Sequence, residues 1–533
     1  MYTFAAIFPI LVALSLLTLF KVSPGKALLP AWVLTVLSAL WLWQMPPVPV
    51  LAASVLGVLK ALDIILIIFG AVLLLNVLKT SGAIRTVNNS FSAISDDRRI
   101  QAMIVAWMFG GFIEGVSGFG AAPALAAPLL AGLGFPAATA VAAALICNTL
   151  SVPFAAAGLP VLTTVSTLGD TVGDPAQFTA AMADKLTAIS GLSGLFIPLI
   201  MVIFMVCSSK QPRKLKSIME ITPLALFAGA AYIVPWRLTA VYLGVELPSI
   251  MGALVGLPLL ILAVKLRFLV PAKVWDFAAD EKPVLQAESR HDAPLMPAWQ
   301  AWMPYFVLAA SLLVFRFPLL PFRNWFNAVI ITIPDIFGVP GTGLSWRILN
   351  NPGVMPFCLI SLISAWAWHF KVPEQRQVLT ATVKQTGQAA IAIAASVAMV
   401  QIMVNSAANP AGMPGMLNCI ARSMAELLGR FFIAGAPFIG MFGTFFSGSC
   451  TVSNILFAPL QFDTARMLNI DPALIVALQN IGGGLGSMLR ISGVIAACAI
   501  VNARGKEGRI ILLNCIPAFI LAVLAVIFAV VLY

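Results

Sequence analysis

Residues 109–120 read FGGFIEGVSGFG and lie inside a long apolar run. Five of these positions are glycine (Gly110, Gly111, Gly115, Gly118 and Gly120), and one, Glu114, is a carboxylate. Glycine is the poorest helix former after proline, so the cluster is expected to break or loosen a helix. The chain around it is 61% hydrophobic and 10% charged over 533 residues, with a mean hydropathy of +1.00. That is the composition of a polytopic membrane protein and not of a soluble domain. A broken backbone at membrane depth is tolerated only where it is buried in protein or lines a cavity. A carboxylate at the same depth is costly, and two readings of Glu114 stand. Either it carries a proton or holds a coupling cation, or it caps the broken helix ends and is otherwise inert.

The composition also narrows the function. Two histidines, His291 and His369, give no basis for a His-based metal or acid–base centre. No Ser/His/Asp set and no Walker-type phosphate loop is present, which argues against a membrane-embedded enzyme and an ATP-driven pump. No cofactor and no metal is implied. The seven cysteines are scattered through apolar segments and read as packing residues. The net charge of +11 collects in short loops, as the positive-inside rule produces, so it does not signal nucleic acid. The first 20 residues have no basic start and no clear cleavage site, and read as a retained helix.

Apolar windows suited to spans fall at 2–20, 27–45, 61–79, 187–207, 223–235, 247–266, 301–317, 355–370, 389–404 and 510–533. With Lys21 and Lys26 placed inside, alternation puts the loops bearing Arg85, Arg98 and Arg99, and those at 210–216, 265–273, 371–384 and 504–509, inside as well. The acidic 166–185 loop and the nearly uncharged 405–416 turn then fall outside. The expected fold is an all-α polytopic membrane protein with about 12 transmembrane helices plus two re-entrant hairpins in an inverted-topology repeat, both termini outside. The N-terminal half, 1–266, contains hairpin 101–135 and broken helix 136–165. A charged cytoplasmic connection, 267–299, leads to the C-terminal half, 300–533, with hairpin 431–466 and broken helix 472–503.

The repeat rests on an echo. Residues 442–454 read FGTFFSGSCTVSN, and Phe109/Phe442, Gly110/Gly443, Phe112/Phe445 and Gly115/Gly448 share an offset of 333 residues. Behind the first hairpin, residues 147–153 (CNTLSVP) form a polar island closed by proline, where a helix is expected to unwind. Behind the second, Gln479 and Asn480 with Gly482, Gly483 and Gly484 are expected to form the counterpart. An odd number of crossings between the copies makes them face opposite ways, the signature of secondary transporters with a midplane substrate site. The expected pocket is lined by Ser117, Asn148, Thr149, Ser449, Thr451, Ser453, Asn454, Gln479 and Asn480. Arg490 follows as a guanidinium able to grip both oxygens of a carboxylate. The competing readings are ordinary helix-to-helix hydrogen bonds for the polar residues and snorkelling or a structural partner for Arg490. Asp463 and Arg466, at the end of the second hairpin, read as structural. A channel remains a further class.

Five blocks carry a resemblance. SDDRRIQA (95–102), FGGFIEGVSGFGAAPALAAPLLAGLGF (109–135), CNTLSVPFAAAGLP (147–160), SGSCTVSNILFAPLQ (447–461) and GGGLGSM (482–488) resemble the signature blocks of the bacterial L-lactate permease family. The resemblance implies paired inverted repeats with re-entrant hairpins, placement in a bacterial plasma membrane, and proton-coupled uptake of lactate, glycolate and related 2-hydroxy acids. The partners implied are a small carboxylate, a coupling proton and the lipid bilayer, with no nucleic acid. Sodium stays open as the coupling ion, since unwound carbonyls can bind it. The second half departs from the family pattern. Cys450 stands where the family has aspartate, and Ser487 where it has lysine, while Arg490 restores a positive charge one helical turn on. A different small monocarboxylate therefore stays open beside lactate.

Overall fold

The computed structural model describes residues 2–18, 22, 24–83, 86, 94–118, 120–212, 214–278, 296–316, 322–351, 353–490, 493–494, 497–498, 501, 503 and 506–533. The centre of the charged connection and most of the second broken helix beyond Arg490 lie outside these residues.

The chain is helical almost throughout. Helices α1 (Tyr2–Thr18) and α2 (Pro24–Trp41) precede α3 (Pro47–Thr80), which runs unbroken for 34 residues, about 51 Å at 1.5 Å per residue. The sequence suggested a span at 61–79. The prolines near 47 instead occupy the first helical turn, where their missing N–H costs nothing. Gly57 does not break α3 either; it lets the backbone of a second 34-residue helix, reached below, approach at Ala398.

The first hairpin is α4 (Arg98–Ser117) and α5 (Ala121–Gly132). One segment of α4, Met103–Phe109, is wound as π-helix, and every described side chain of its length except Arg98 is buried. Then come α6 (Ala137–Asn148) and α7 (Ala155–Leu168), two halves bent by 65°. They lead to α8 (Pro175–Gly194), α9 (Ile197–Ser208), α10 (Lys214–Tyr242) and α11 (Pro248–Lys265). The second half holds α12 (Ala298–Arg316), α13 (Phe322–Ala328), α14 (Leu359–Ala367) and the long α15 (Val372–Asn405). After the amphipathic α16 (Met416–Leu428) come the second hairpin, α17 (Phe432–Ser447) and α18 (Cys450–Met467), then α19 (Pro472–Gly486) and the final α20 (Glu507–Leu532).

Among the described residues six stretches are long and apolar enough to cross a membrane, or seven if the bent α6/α7 pair counts as one. Much of the remaining apolar sequence is cut into shorter pieces. One small element is not helical. Strands β1 (Ile331–Ile333) and β2 (Leu344–Trp346) pair antiparallel, Ile331 opposite Trp346. This exposed ribbon lies outside the spans, and Ile336 in its connection packs on Ala52 and Leu56 of α3.

The hairpins and broken helices form the centre. In α19 all residues from Ala473 to Gly486 are buried, whereas only a third of the apolar window of α20 is. The small residues of α19 serve close approach. A Cβ on Gly482 would collide with the Pro437 carbonyl of α17, and one on Gly486 with that of Met441. This corrects a sequence expectation: Gln479 to Gly484 are not an unwound point but continuous helix. The break comes later, at Ser487–Leu489.

The start of α4 is pinned. Asp97 caps it by accepting from the Arg99 N–H, and its carboxylate also takes Nε (3.0 Å) and Nη2 (2.5 Å) of the Arg99 guanidinium. Arg99 further donates to the carbonyls of Ser217 and Lys273, and the Trp275 N–H donates to Asp97. Arg98 pairs with Asp276 at 3.0 Å. The SDDRR block is thus a clamp between α4 and the chain following α11.

Candidate functional site

Both hairpins turn through a glycine with positive φ. Gly118 (φ +64°) ends α4 and Gly448 (φ +74°) ends α17, each donating its N–H to the carbonyl four residues back, Glu114 and Thr444. The turns therefore match at an offset of 330 residues, Ser117 with Ser447 and Gly118 with Gly448. The glycine echo at 333 is one helical turn out of register. Gly111 and Gly115, which looked like break points, stay helical, because a Cβ at either would press on Tyr232 and Ser151 or on Ser249 and Ile250.

Behind the first hairpin α6 ends at Asn148, as the polar island suggested. The chain passes through a short 3-10 turn, then through Ala156 (φ +44°), Ala157 (φ +54°) and Gly158 (φ +79°) before α7 proceeds. Left-handed residues carrying a Cβ cost about 1–2 kcal/mol each, so the surroundings must hold this stretch in place. Two residues not foreseen do so. Tyr232 of α10 shares a hydrogen bond with the Ser151 hydroxyl (3.0 Å), and Ser249 of α11 donates to the Ser151 carbonyl (3.0 Å). Gly158 fits because a Cβ would strike the Val245 carbonyl. A tyrosine in an apolar helix leaves no sequence signal that it will meet a break some eighty residues away.

These pieces enclose a cavity of about 70 Å³. Its wall takes Glu114 and Gly118 from the first hairpin, Val152 to Pro160 from the bent pair, Gly448 to Thr451 from the second hairpin, and Arg490 from the second break. Pockets for drug-sized ligands run to roughly 300 Å³ or more, so this one suits a molecule of a few heavy atoms. The first break touches α19, since a Cβ on Gly484 would lie 2.8 Å from the Thr149 carbonyl.

The electrostatics of the two hairpin turns differ. The Glu114 carboxylate lies against the backbone N–H groups of Gly120 and Ala122 and the Asn148 amide, at the positive start of α5. Arg490 reaches across from the second break so closely that a Cβ on Gly120 would overlap its guanidinium. At the start of α18 the second hairpin supplies no acid of its own. Ser449 caps it by accepting from the Val452 N–H (3.4 Å), and the other first-turn N–H groups have no partner within the helix. Cys450 and Thr451, which carry two of them, line the cavity. Among the described residues Glu114 Oε2, Asn148 Oδ1, Arg490 Nε and Ser487 Oγ are buried without a hydrogen-bond partner. Thirteen buried side-chain polar atoms are left so among the described residues, and of these Glu114 Oε2 and Arg490 Nε belong to the cavity wall.

The structure divides the residues singled out in sequence. Glu114, Ser449, Thr451 and Arg490 line the cavity, and Asn148 adjoins it through Glu114. Ser117 and Thr149 are buried beside it without lining it, and the Thr149 hydroxyl returns to the Ile146 carbonyl (2.9 Å). Ser453, Asn454, Gln479 and Asn480 form a fully buried network directly behind the cavity wall, which Asn454 reaches at Cys450 and Pro160. Asn454 donates to Asn480 (2.6 Å), Gln479 donates to Ser453 (3.1 Å) and Asn454 (3.2 Å), and Gln461 donates to Gln479. These amides tie α18 to α19 and, through Asn454 to the Pro160 carbonyl, to α7.

Comparison with known proteins agrees with this architecture. The family description "L-lactate permease" matches residues 3–533. An L-lactate permease of Bacillus subtilis is 29% identical over 94% of this chain and 91% of its own length. One of Streptococcus iniae is 30% identical, with 88% of this chain and 91% of that protein covered. A glycolate permease of Escherichia coli is 28% identical, covering 90% and 86%. The chain belongs to the L-lactate permease family, and it is a multi-pass integral membrane transporter rather than an enzyme.

Proposed function

We propose that this protein is a secondary active transporter that takes up a small monocarboxylate, lactate or a related 2-hydroxy acid, together with a proton. The observation that supports the reading best is that Arg490 and the start of α18, a hairpin turn with no acid of its own, line one cavity of about 70 Å³. A guanidinium and a helix N-terminus are both anion sites, and here they meet. The names of the relatives, lactate and glycolate permeases, support the substrate class.

The substrate carboxylate would lie between Arg490 and the N–H groups of Cys450 and Thr451, with the Ser449 and Thr451 hydroxyls within the same wall. Its 2-hydroxyl would meet the polar groups around Asn148. Glu114 supplies the coupling through charge balance. Without substrate, the carboxylate of Glu114 and the guanidinium of Arg490 leave the buried site neutral. An arriving anion leaves it with an uncompensated negative charge, which is expensive to bury. A proton taken up on Glu114 restores neutrality, so anion and proton load together.

The test is uptake of labelled L-lactate into proteoliposomes, with and without an inward proton gradient. Saturable, gradient-driven accumulation is expected. Accumulation that follows a sodium gradient at fixed pH, and is lost on replacing sodium by choline, would assign the coupling to sodium. Uptake that never saturates would point to a channel.

A further inference from the structure

A second cavity, of about 200 Å³, opens at the far ends of α7 and α18. It is walled by Leu168 and Thr171 after α7, Met403 to Ala407 at the end of α15, Leu417 and Asn418 of α16, and Pro459 to Arg466 of α18. The inner cavity lies between the other ends of the same two helices, at Ala155 to Pro160 and at Cys450 and Thr451. Along α18 the eleven steps from Thr451 to Phe462 span about 16 Å. Between the cavities stand Thr164, Asn454 and Asn480. Asn454 bridges the Pro160 carbonyl and Asn480, and Thr164 meets Asn480 at 3.5 Å.

The outer cavity carries one guanidinium, Arg466, which is exposed and lies 6.0 Å from the Phe462 ring centroid. Among the described residues no hydrogen bond or ion pair occupies it. Two ion pairs stand on neighbouring elements, Arg237 with Asp184 at 2.9 Å and Lys185 with Asp471 at 3.2 Å; Lys60 of α3 donates to the Gln401 amide at 3.4 Å, and α16 carries Arg422 and Glu426. Asp463, one turn before Arg466, is half-buried in the same wall without a salt bridge to it. The Thr171 hydroxyl and the Asn418 amide complete a polar rim over apolar walls.

We infer that this outer cavity is a second carboxylate site, where Arg466 holds the anion before it passes between α7 and α18 to the inner cavity. The inference rests on the transport reading above and adds to it a waiting site and a route. The amide cluster of Asn454 and Asn480 is the partition that must part for the anion to move inward. Asp463 faces the same space and competes with the anion for Arg466. Its presence keeps the site weak, as a site that must release its ligand onward requires.

The two charges therefore have opposite expected effects, which a structural ion pair would not produce. In oriented vesicles that expose the cavity to the bath, Arg466→Gln should raise the apparent KM for L-lactate about three- to tenfold with the maximal rate kept, as the loss of one exposed charge-assisted hydrogen bond predicts. It should also weaken the salt dependence of KM. Arg466→Lys should recover most of the affinity. Asp463→Asn should lower KM about two- to threefold. In vesicles of the opposite orientation neither change should move the influx KM. Equal damage from both substitutions, or an unchanged KM with Arg466→Gln in either orientation, would overturn the second site while leaving the inner one intact. No saturable carboxylate uptake by the unsubstituted protein would overturn both.

Discussion

The two hairpins share a shape and differ in chemistry. In the first, α4 is buried almost throughout and locked at its start by the Asp97–Arg99 pair, and Glu114 occupies the positive end of α5. In the second, the residue matched to Glu114 at the 330-residue offset is Thr444, a buried hydroxyl with no hydrogen-bond partner among the described residues. Uncharged amides hold α18, and its positive end has only the Ser449 cap. One hairpin turn thus carries its own anion, and the other carries none. Two similar helix starts meet on one cavity, and a single acid makes them unequal.

The largest effects should come from changing that acid. Glu114→Gln should abolish uphill, proton-driven uptake while leaving exchange of labelled for unlabelled substrate in place; uphill uptake surviving intact would end the coupling role of Glu114. Placing an acid in the second hairpin, Thr444→Glu, should make it resemble the first and close the start of α18 to anions. Exchange and net uptake should then both fall below detection in protein that still elutes as a folded species. Normal exchange would show that the substrate does not use this helix end.

Arg490→Ala comes next. Loss of a buried charge-assisted pair should raise KM for anionic substrates by roughly tenfold to a hundredfold, with Arg490→Lys between; a wild-type KM would remove Arg490 from the binding site. Arg99→Met probes the other side of the comparison. Breaking a buried pair from one side costs about 3–5 kcal/mol, and Asp97 would be left uncompensated. Thermal inactivation in detergent should come markedly earlier, with KM little changed in protein that remains folded. A wild-type melting profile would mean that the clamp does not hold the first hairpin.

The smallest effect expected is for Asn480→Leu. Asn480 belongs to the network and not to the inner cavity wall, so KM should stay within about threefold while stability falls by about 1–3 kcal/mol, the cost of orphaning buried amide partners. A KM change as large as that of Arg490→Ala would return Asn480 to the pocket.

The membrane class, the two hairpins, the polar break after Asn148 and the presence of two charges, Glu114 and Arg490, in apolar surroundings were legible in the chain itself. Each rests on local chemistry: apolar length, glycine and proline placement, and the cost of an ion in an apolar run. What a glycine is for was not legible. Gly118, Gly120 and Gly158 permit left-handed turns, whereas Gly57, Gly482 and Gly486 permit one backbone to touch another, and in sequence both look like helix breakers. That ambiguity displaced the repeat by one turn and moved the second break from Ser487 back to Gln479. Nor was it legible that Ser453, Asn454, Gln479 and Asn480 hydrogen-bond to one another, since a polar side chain that braces and one that binds look alike in sequence. Tertiary structure alone decided these points, because a polar group's role depends on which partner reaches it first. Tyr232 and Ser249 reach Ser151, and Asn454 reaches Asn480, whereas the Arg490 Nε is left without a protein partner among the described residues.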